Sequence, residues 1–158
     1  MPSIDDASVA VALGANQPSA VGSPHETLLA VRPLLEELLR GWAAQDLRFC
    51  WSQFLVTKPV GPVEQPDYVN AVLLVKGMTV VPSEPLALEL LQRLHGLERR
   101  FGRERSQEQR WGPRSLDLDL LFWGELRLNH SQLVLPHPRL HLRAFVLEPL
   151  LQAMQQRS

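Results

Sequence analysis

The sequence predicts an α+β fold, an antiparallel sheet with helices packed on it. Three observations predict it. Apolar or alternating runs of strand length recur at 8–13, 47–56, 68–76 and 115–122. Two longer leucine-rich stretches each follow a serine and an early proline, the chemistry of a helix start. In chain order these read strand, helix, strand, strand, helix, strand, the order of a ferredoxin-like sandwich.

Each element has a local cause. Residues 8–13 are a short buried strand, ended by Gly14-Ala15-Asn16. A polar loop over 17–22 leads to Ser23, which can cap a helix. Pro24 suits its first position, and Glu26 completes a capping box. Leu28, Leu29, Leu34, Leu35, Leu38 and Leu39 carry that helix to about residue 40. Residues 47–56 hold aromatic and β-favouring side chains and read as one strand. Lys58-Pro-Val-Gly-Pro62 forbids regular structure and makes a stiff loop. Residues 68–76 are a third strand, and Ser83 opens a second helix to about Arg100. Residues 115–122 alternate as a strand with one wet face. After a turn near Gly124, residues 133–135 are expected to extend the sheet. Pro136-His137-Pro138 then leads into a last helix, roughly 140–152.

Composition bounds the rest. A length of 158 residues suits a single domain, 1–158, with 1–7 as a flexible N-terminal extension. Hydrophobic residues at 45% and charged residues at 21% fit a soluble globular chain. Cys50 is alone, so no internal disulfide forms, and its apolar surroundings predict a buried thiol. The acidic N-terminus does not fit a signal peptide, and no run approaches the ~20 apolar residues of a membrane span. These points predict a cytoplasmic protein. A net charge of −1 argues against a general polyanion binder.

The charge is unevenly placed. Arg99, Arg100, Arg103, Arg105, Arg110 and Arg114 share one stretch with only Glu104 and Glu108. Arginine presents a planar fork of donors that fits phosphate oxygens, though a solvated basic loop reads equally well from charge alone. Asp117 and Asp119, two apart on a strand, point to one side about 6.5–7 Å apart, while Leu116, Leu118 and Leu120 point to the core. Two such carboxylates suit Mg²⁺, which takes one or two and completes its shell with water and phosphate oxygens. An ordinary exposed strand face has the same pattern. A divalent-metal site beside clustered arginines is what phosphoryl transfer from a nucleotide requires.

The motifs together resemble a known family. Arg110-Trp-Gly-Pro-Arg-Ser-Leu-Asp-Leu-Asp-Leu-Leu121 resembles the signature of the 6-hydroxymethyl-7,8-dihydropterin pyrophosphokinases of folate biosynthesis. So do Ala10-Val-Ala-Leu-Gly-Ala-Asn16, Thr57-Lys-Pro-Val-Gly61, Gln65-Pro-Asp-Tyr-Val-Asn70, Glu98 to Arg105, Leu135-Pro-His-Pro-Arg139 and Arg143-Ala-Phe-Val-Leu147. Several motifs in one register, covering roughly 9–150, are far more specific than any one. The resemblance implies a ferredoxin-like fold and transfer of the β- and γ-phosphates of ATP, together, to the pterin hydroxymethyl group, releasing AMP. It implies Asp117 and Asp119 as Mg²⁺ ligands and Arg103 and Arg114 as catalytic residues. It places Glu98, Arg105, Arg110, Trp111, Leu120, His137 and Arg143 on ATP. Gly14, Thr57, Val60, Tyr68, Asn70 and Phe145 fall on the pterin. Tyr68 and Phe145 would sandwich the ring, and Asn70 would offer its edge a donor and an acceptor. The implied substrates are ATP and a reduced pterin; no nucleic-acid or membrane partner is expected, and the chain is expected to be a monomer.

The chain departs from the family pattern in places. Ala15 stands where serine is usual and His95 where glutamine is common, and Lys58 adds a charge near the pterin edge. Two other functions compete: a nucleotide or pterin sensor without catalysis, and an RNA-binding module using the basic loop. Both aspartates and all the loop arginines are present, against the first. Aromatics are only 6% and not arranged on central strands, against the second.

Overall fold

The structure, a computed structural model, describes residues 7–58, 64, 66–102 and 115–138. The expected last helix, 140–152, and nearly all of the N-terminal extension lie outside these residues. The elements run β1 (Val9–Ala15), α1 (Pro24–Ala43), β2 (Arg48–Trp51), β3 (Leu55–Thr57), β4 (Tyr68–Lys76), α2 (Glu84–Arg100) and β5 (Asp117–Trp123), then β6 (Leu128–Asn129) and β7 (Val134–Leu135).

The helix starts form as their sequences dictate. The Ser23 hydroxyl accepts from the Glu26 N–H, and the Glu26 carboxylate accepts from the Ser23 N–H at 2.9 Å. The Ser23 main-chain bond, then its side chain, hold the Glu26 carboxyl below its ordinary value of 4.5. Ser83 caps α2 through its bond to the Leu86 N–H. Helix α1 runs on through Pro33, an exposed position, and closes with Ala44 in the left-handed region.

Packing places the helices. Leu28, Val31, Leu35 and Leu39 of α1, with Ala87, Leu90, Leu94 and Leu97 of α2, meet Val9, Val11, Leu13 and Ala15 of β1 in one core. Leu73 and Val75 of β4 and Leu118, Leu120 and Trp123 of β5 complete it. Each fully buried leucine stabilises by about 1.5–3 kcal/mol, against about 1 kcal/mol for a cap. Burial therefore sets where each helix lies, and the cap sets only where it begins. At the outer edge, Arg32 lies over the Trp51 ring at 4.6 Å, and the Trp51 indole donates to Glu36 at 2.7 Å. No helix among the described residues is long and apolar enough to cross a membrane.

The main sheet is antiparallel in the order β2-β4-β1-β5, with β3 also on β4. This is the expected α+β sandwich, with both described helices on one face. Residues 10, 12 and 14 of β1 face the other way. There Ala10, Cys50, Val72, Leu74 and Leu121 form a second, smaller cluster, and the lone cysteine is buried as expected.

Two expectations need correction. Residues 47–56 are two strands, interrupted at Ser52–Phe54. The break is repaired by Ser52, whose N–H donates to the Val72 carbonyl and whose hydroxyl accepts from the Val72 N–H at 2.8 Å. Residues 133–135 do not extend the main sheet. Val134–Leu135 pairs with Leu128–Asn129 in a separate two-stranded sheet, because the turn at Gly124 (φ 54°) redirects the chain first.

A bulge in β5 sets which way its acidic residues point. Val11 is opposite Leu120, but Ala10 is opposite Phe122, leaving Leu121 as the extra residue. A bulge resets which face successive side chains take. Asp117 and Asp119 thus point away from the helices, while Trp123 still enters the core and stacks edge-on with Trp42. The Trp123 indole N–H has no acceptor among the described residues.

Candidate active site

The register of the sheet gathers the site. Gly14 of β1 is opposite Asp117 of β5 on one side and Asn70 of β4 on the other. Leu55 of β3 is opposite Asn70 in turn. Directly opposed residues share a face, so these four form one rung on the helix-free side. Two strand spacings put the Asp117 and Asn70 positions about 9.5 Å apart. Asp119, two residues on, keeps to the same face, opposite Ala12. Tyr68 and Thr57, paired with each other, continue that face beyond Asn70.

Gly14 is the floor of this row. A Cβ there would lie 3.1 Å from Asn70 Oδ1 and 3.7 Å from Tyr68 Cδ1. The bare backbone leaves a trough between the acidic strand and the amide. Asn70 is 5% exposed. Its Nδ2 donates to the Leu55 carbonyl at 3.1 Å and to Thr57 Oγ1 at 2.7 Å. From sequence, this amide is expected to offer a ligand both a donor and an acceptor. In the fold both amide protons have protein acceptors, and Oδ1 is the atom beside Gly14.

Glu98, expected on the nucleotide side, is tied to the acidic strand. It sits in the last turn of α2, 1% exposed, and its Oε2 accepts from the Leu118 N–H at 2.8 Å. Leu118 is the residue between the two aspartates, so Glu98 ties the acidic strand to the helix layer. Asp117 and Asp119 themselves are half-buried. Among the described residues no group of three or more His, Cys, Asp or Glu could hold a metal. A pair of carboxylates on one strand face is still a sufficient protein share for Mg²⁺, whose other positions are filled by water and phosphate.

The family model for 7,8-dihydro-6-hydroxymethylpterin-pyrophosphokinase matches residues 10–155. The chain belongs to this family. The 2-amino-4-hydroxy-6-hydroxymethyldihydropteridine pyrophosphokinase of Haemophilus influenzae is 37% identical over 140 residues, 89% of this chain and 77% of the relative. That of Pseudomonas aeruginosa is 36% identical over 142 residues, 90% of this chain and 77% of the relative. That of Synechocystis is 43% identical over a shorter 99 residues, 63% of this chain and 46% of the relative.

For this pyrophosphokinase-family chain, the structure brings six expected residues to one sheet face: Gly14, Thr57, Tyr68, Asn70, Asp117 and Asp119. Leu120 turns its side chain into the helix-side core, 2% exposed, which leaves only its main chain for any nucleotide contact. His137 lies beside β5, its N–H donating to the Leu121 carbonyl at 2.7 Å. Ala15, in the serine position, faces the helix-side core rather than the trough. Val60, Arg103, Arg105, Arg110, Trp111, Arg114, Arg143 and Phe145 lie outside the described residues.

Two residues that shape the site do not stand out from sequence as doing so. Ser52 restores the ladder across the strand break and so sets where Leu55 and Thr57 fall. Its signal is a lone serine inside an aromatic run. Asn16, which reads as a turn residue, is 1% exposed and donates to the Pro66 carbonyl at 3.0 Å, pinning the segment before Tyr68 to the end of β1.

Proposed function

We propose that this chain transfers the pyrophosphoryl group of ATP to the hydroxymethyl group of 6-hydroxymethyl-7,8-dihydropterin, releasing AMP, in folate biosynthesis. Family membership supports the reaction, and relatives named as the same pyrophosphokinase support the acceptor. The structural observation that carries it is the rung Asp117–Gly14–Asn70. It sets a carboxylate strand and a ring-edge amide on one face, with an uncluttered glycine between them. The two strand positions stand about 9.5 Å apart, with only the bare Gly14 backbone between them.

In this reading the ring lies against Tyr68, with its edge at Asn70 and the main chain of Thr57 and Val60, and Phe145 on its other side. The hydroxymethyl oxygen attacks the β-phosphorus. The bond from that phosphorus to the α,β-bridging oxygen breaks, AMP leaves with that oxygen, and the hydroxyl proton passes to solvent. Asp117 and Asp119 would hold Mg²⁺, which supplies neutralisation of phosphate charge when bound. Arg103, Arg105, Arg110, Arg114, His137 and Arg143 would grip the triphosphate, and Trp111 would also contact ATP. For a loose transition state, alignment and charge neutralisation carry most of the catalysis, so no strong base is required. The chain would act as a monomer in the cytoplasm, which sedimentation velocity tests for its first part.

The test is an assay with ATP, Mg²⁺ and 6-hydroxymethyl-7,8-dihydropterin. AMP and the pterin diphosphate are expected one for one. ADP, or no turnover by folded protein, overturns the proposal.

A further inference from the structure

We infer that Asn70 meets its ligand as a hydrogen-bond acceptor only, and that the Thr57 hydroxyl is the positioning residue that holds it in that state. The inference deepens the proposed pterin site and rests on Asn70 being part of it. The Leu55 main-chain oxygen can only accept, so the Asn70 atom facing it must be the NH₂ group. The second amide proton is taken by Thr57 Oγ1, at 2.7 Å the shorter of the two bonds. An amide has two protons, and both now have partners within the protein. Its oxygen is left turned to Gly14, where a Cβ would come within 3.1 Å. A ligand seated over Gly14 is therefore read by an acceptor. The ring edge it selects must carry an N–H there, as the amino and lactam groups of an aminopyrimidinone do.

Thr57 has a role in this beyond its main chain. It is opposite Tyr68 in the β3–β4 ladder, which fixes where its hydroxyl stands relative to Asn70. Valine at this position keeps the shape and the strand and removes only the hydrogen-bonding oxygen. The effect of the substitution is thereby separable from loss of the strand itself.

The experiment measures binding of 6-hydroxymethylpterin to the full chain by calorimetry, with a nonhydrolysable ATP analogue and Mg²⁺ present. Thr57→Val is expected to weaken pterin binding about fivefold, the worth of one neutral hydrogen bond. The ATP analogue should bind Thr57→Val as it binds the wild type, and Thr57→Ser should restore pterin affinity. In the Asn70→Ala background, adding Thr57→Val should change nothing, because the amide it positions is gone. Side-chain amide exchange read by NMR should be slow for Asn70 in the free protein and faster in Thr57→Val. The inference is overturned by wild-type pterin affinity in Thr57→Val, by an undiminished fivefold effect in the Asn70→Ala background, by equal losses of pterin and ATP analogue, or by equal Asn70 exchange rates. If Asn70→Ala binds the pterin as well as the wild type does, the assignment of Asn70 to the pterin fails, and the positioning role falls with it.

Discussion

Gly14→Ala is the substitution that most directly separates fold from function here. Gly14 is not among the glycines with positive φ, so alanine can take its backbone conformation. Replacing a strand glycine by alanine gains about 0.5–1 kcal/mol from the unfolded chain. Against this, the new Cβ stands 3.1 Å from Asn70 Oδ1, so the amide must give by a few tenths of an ångström. That amide is held by two hydrogen bonds, and loosening one costs about 1 kcal/mol. The two terms nearly cancel. Net stability should change by less than about 1 kcal/mol, a shift in Tm of no more than about 4 °C for a chain of this size. The trough does not benefit from that cancellation. The methyl group takes ligand space and pushes the acceptor oxygen off line, so pterin KM should rise at least about tenfold, equivalent to about 1.4 kcal/mol. Thermal melting and steady-state kinetics with varied pterin read the two halves separately. A folded Gly14→Ala protein with wild-type pterin KM would refute the placement of the ligand over Gly14.

Further outcomes are expected. Glu98→Leu leaves the buried Leu118 N–H without its acceptor and should lower stability by about 1–3 kcal/mol in urea titration, whereas Glu98→Gln keeps an acceptor oxygen and should lose less. Ser52→Ala strands the Val72 N–H in the same way, and a loss of about 1–3 kcal/mol with unchanged m-value is expected. Asp117→Ala and Asp119→Ala should each abolish turnover while circular dichroism stays native; unchanged turnover would remove their metal role. The lowered Glu26 carboxyl has a definite pH signature. Its contribution is fully present above 4.5 and is lost as pH falls through its lower folded value, so the Tm advantage of wild type over Glu26→Ala should shrink in acid. An advantage that grows on acidification would contradict the capping box.

Much of this molecule is written locally. The Ser23 and Ser83 caps, the leucine spacing of both helices and the alternation around Asp117 and Asp119 each depend on neighbours within about four residues. All of them appear in the fold as read from the chain. The same locality made two elements misleading. Residues 47–56 look like one strand because aromatic and branched side chains suit a pleated surface, and only pairing with Val72 shows the break at Ser52. Val134 and Leu135 have strand character, yet their partners are Leu128 and Asn129 in a separate sheet.

The pyrophosphokinase signature around Asp117 was likewise legible by itself, together with the segments holding Gly14, Thr57, Tyr68 and Asn70. What those residues do for one another was not. That Gly14 lies between Asp117 and Asn70, that Asn70 has given both its protons to Leu55 and Thr57, and that Glu98 bonds the amide between the aspartates are facts of strand register and helix packing. Register is decided by which faces can be buried over the whole sheet, and in β5 by one bulge that lets the aspartates face out while Trp123 faces in. Sequence alone determined the chemical groups and their local faces. The tertiary structure decided the distances between them, because residues far apart in the chain meet only once the sheet has closed its core.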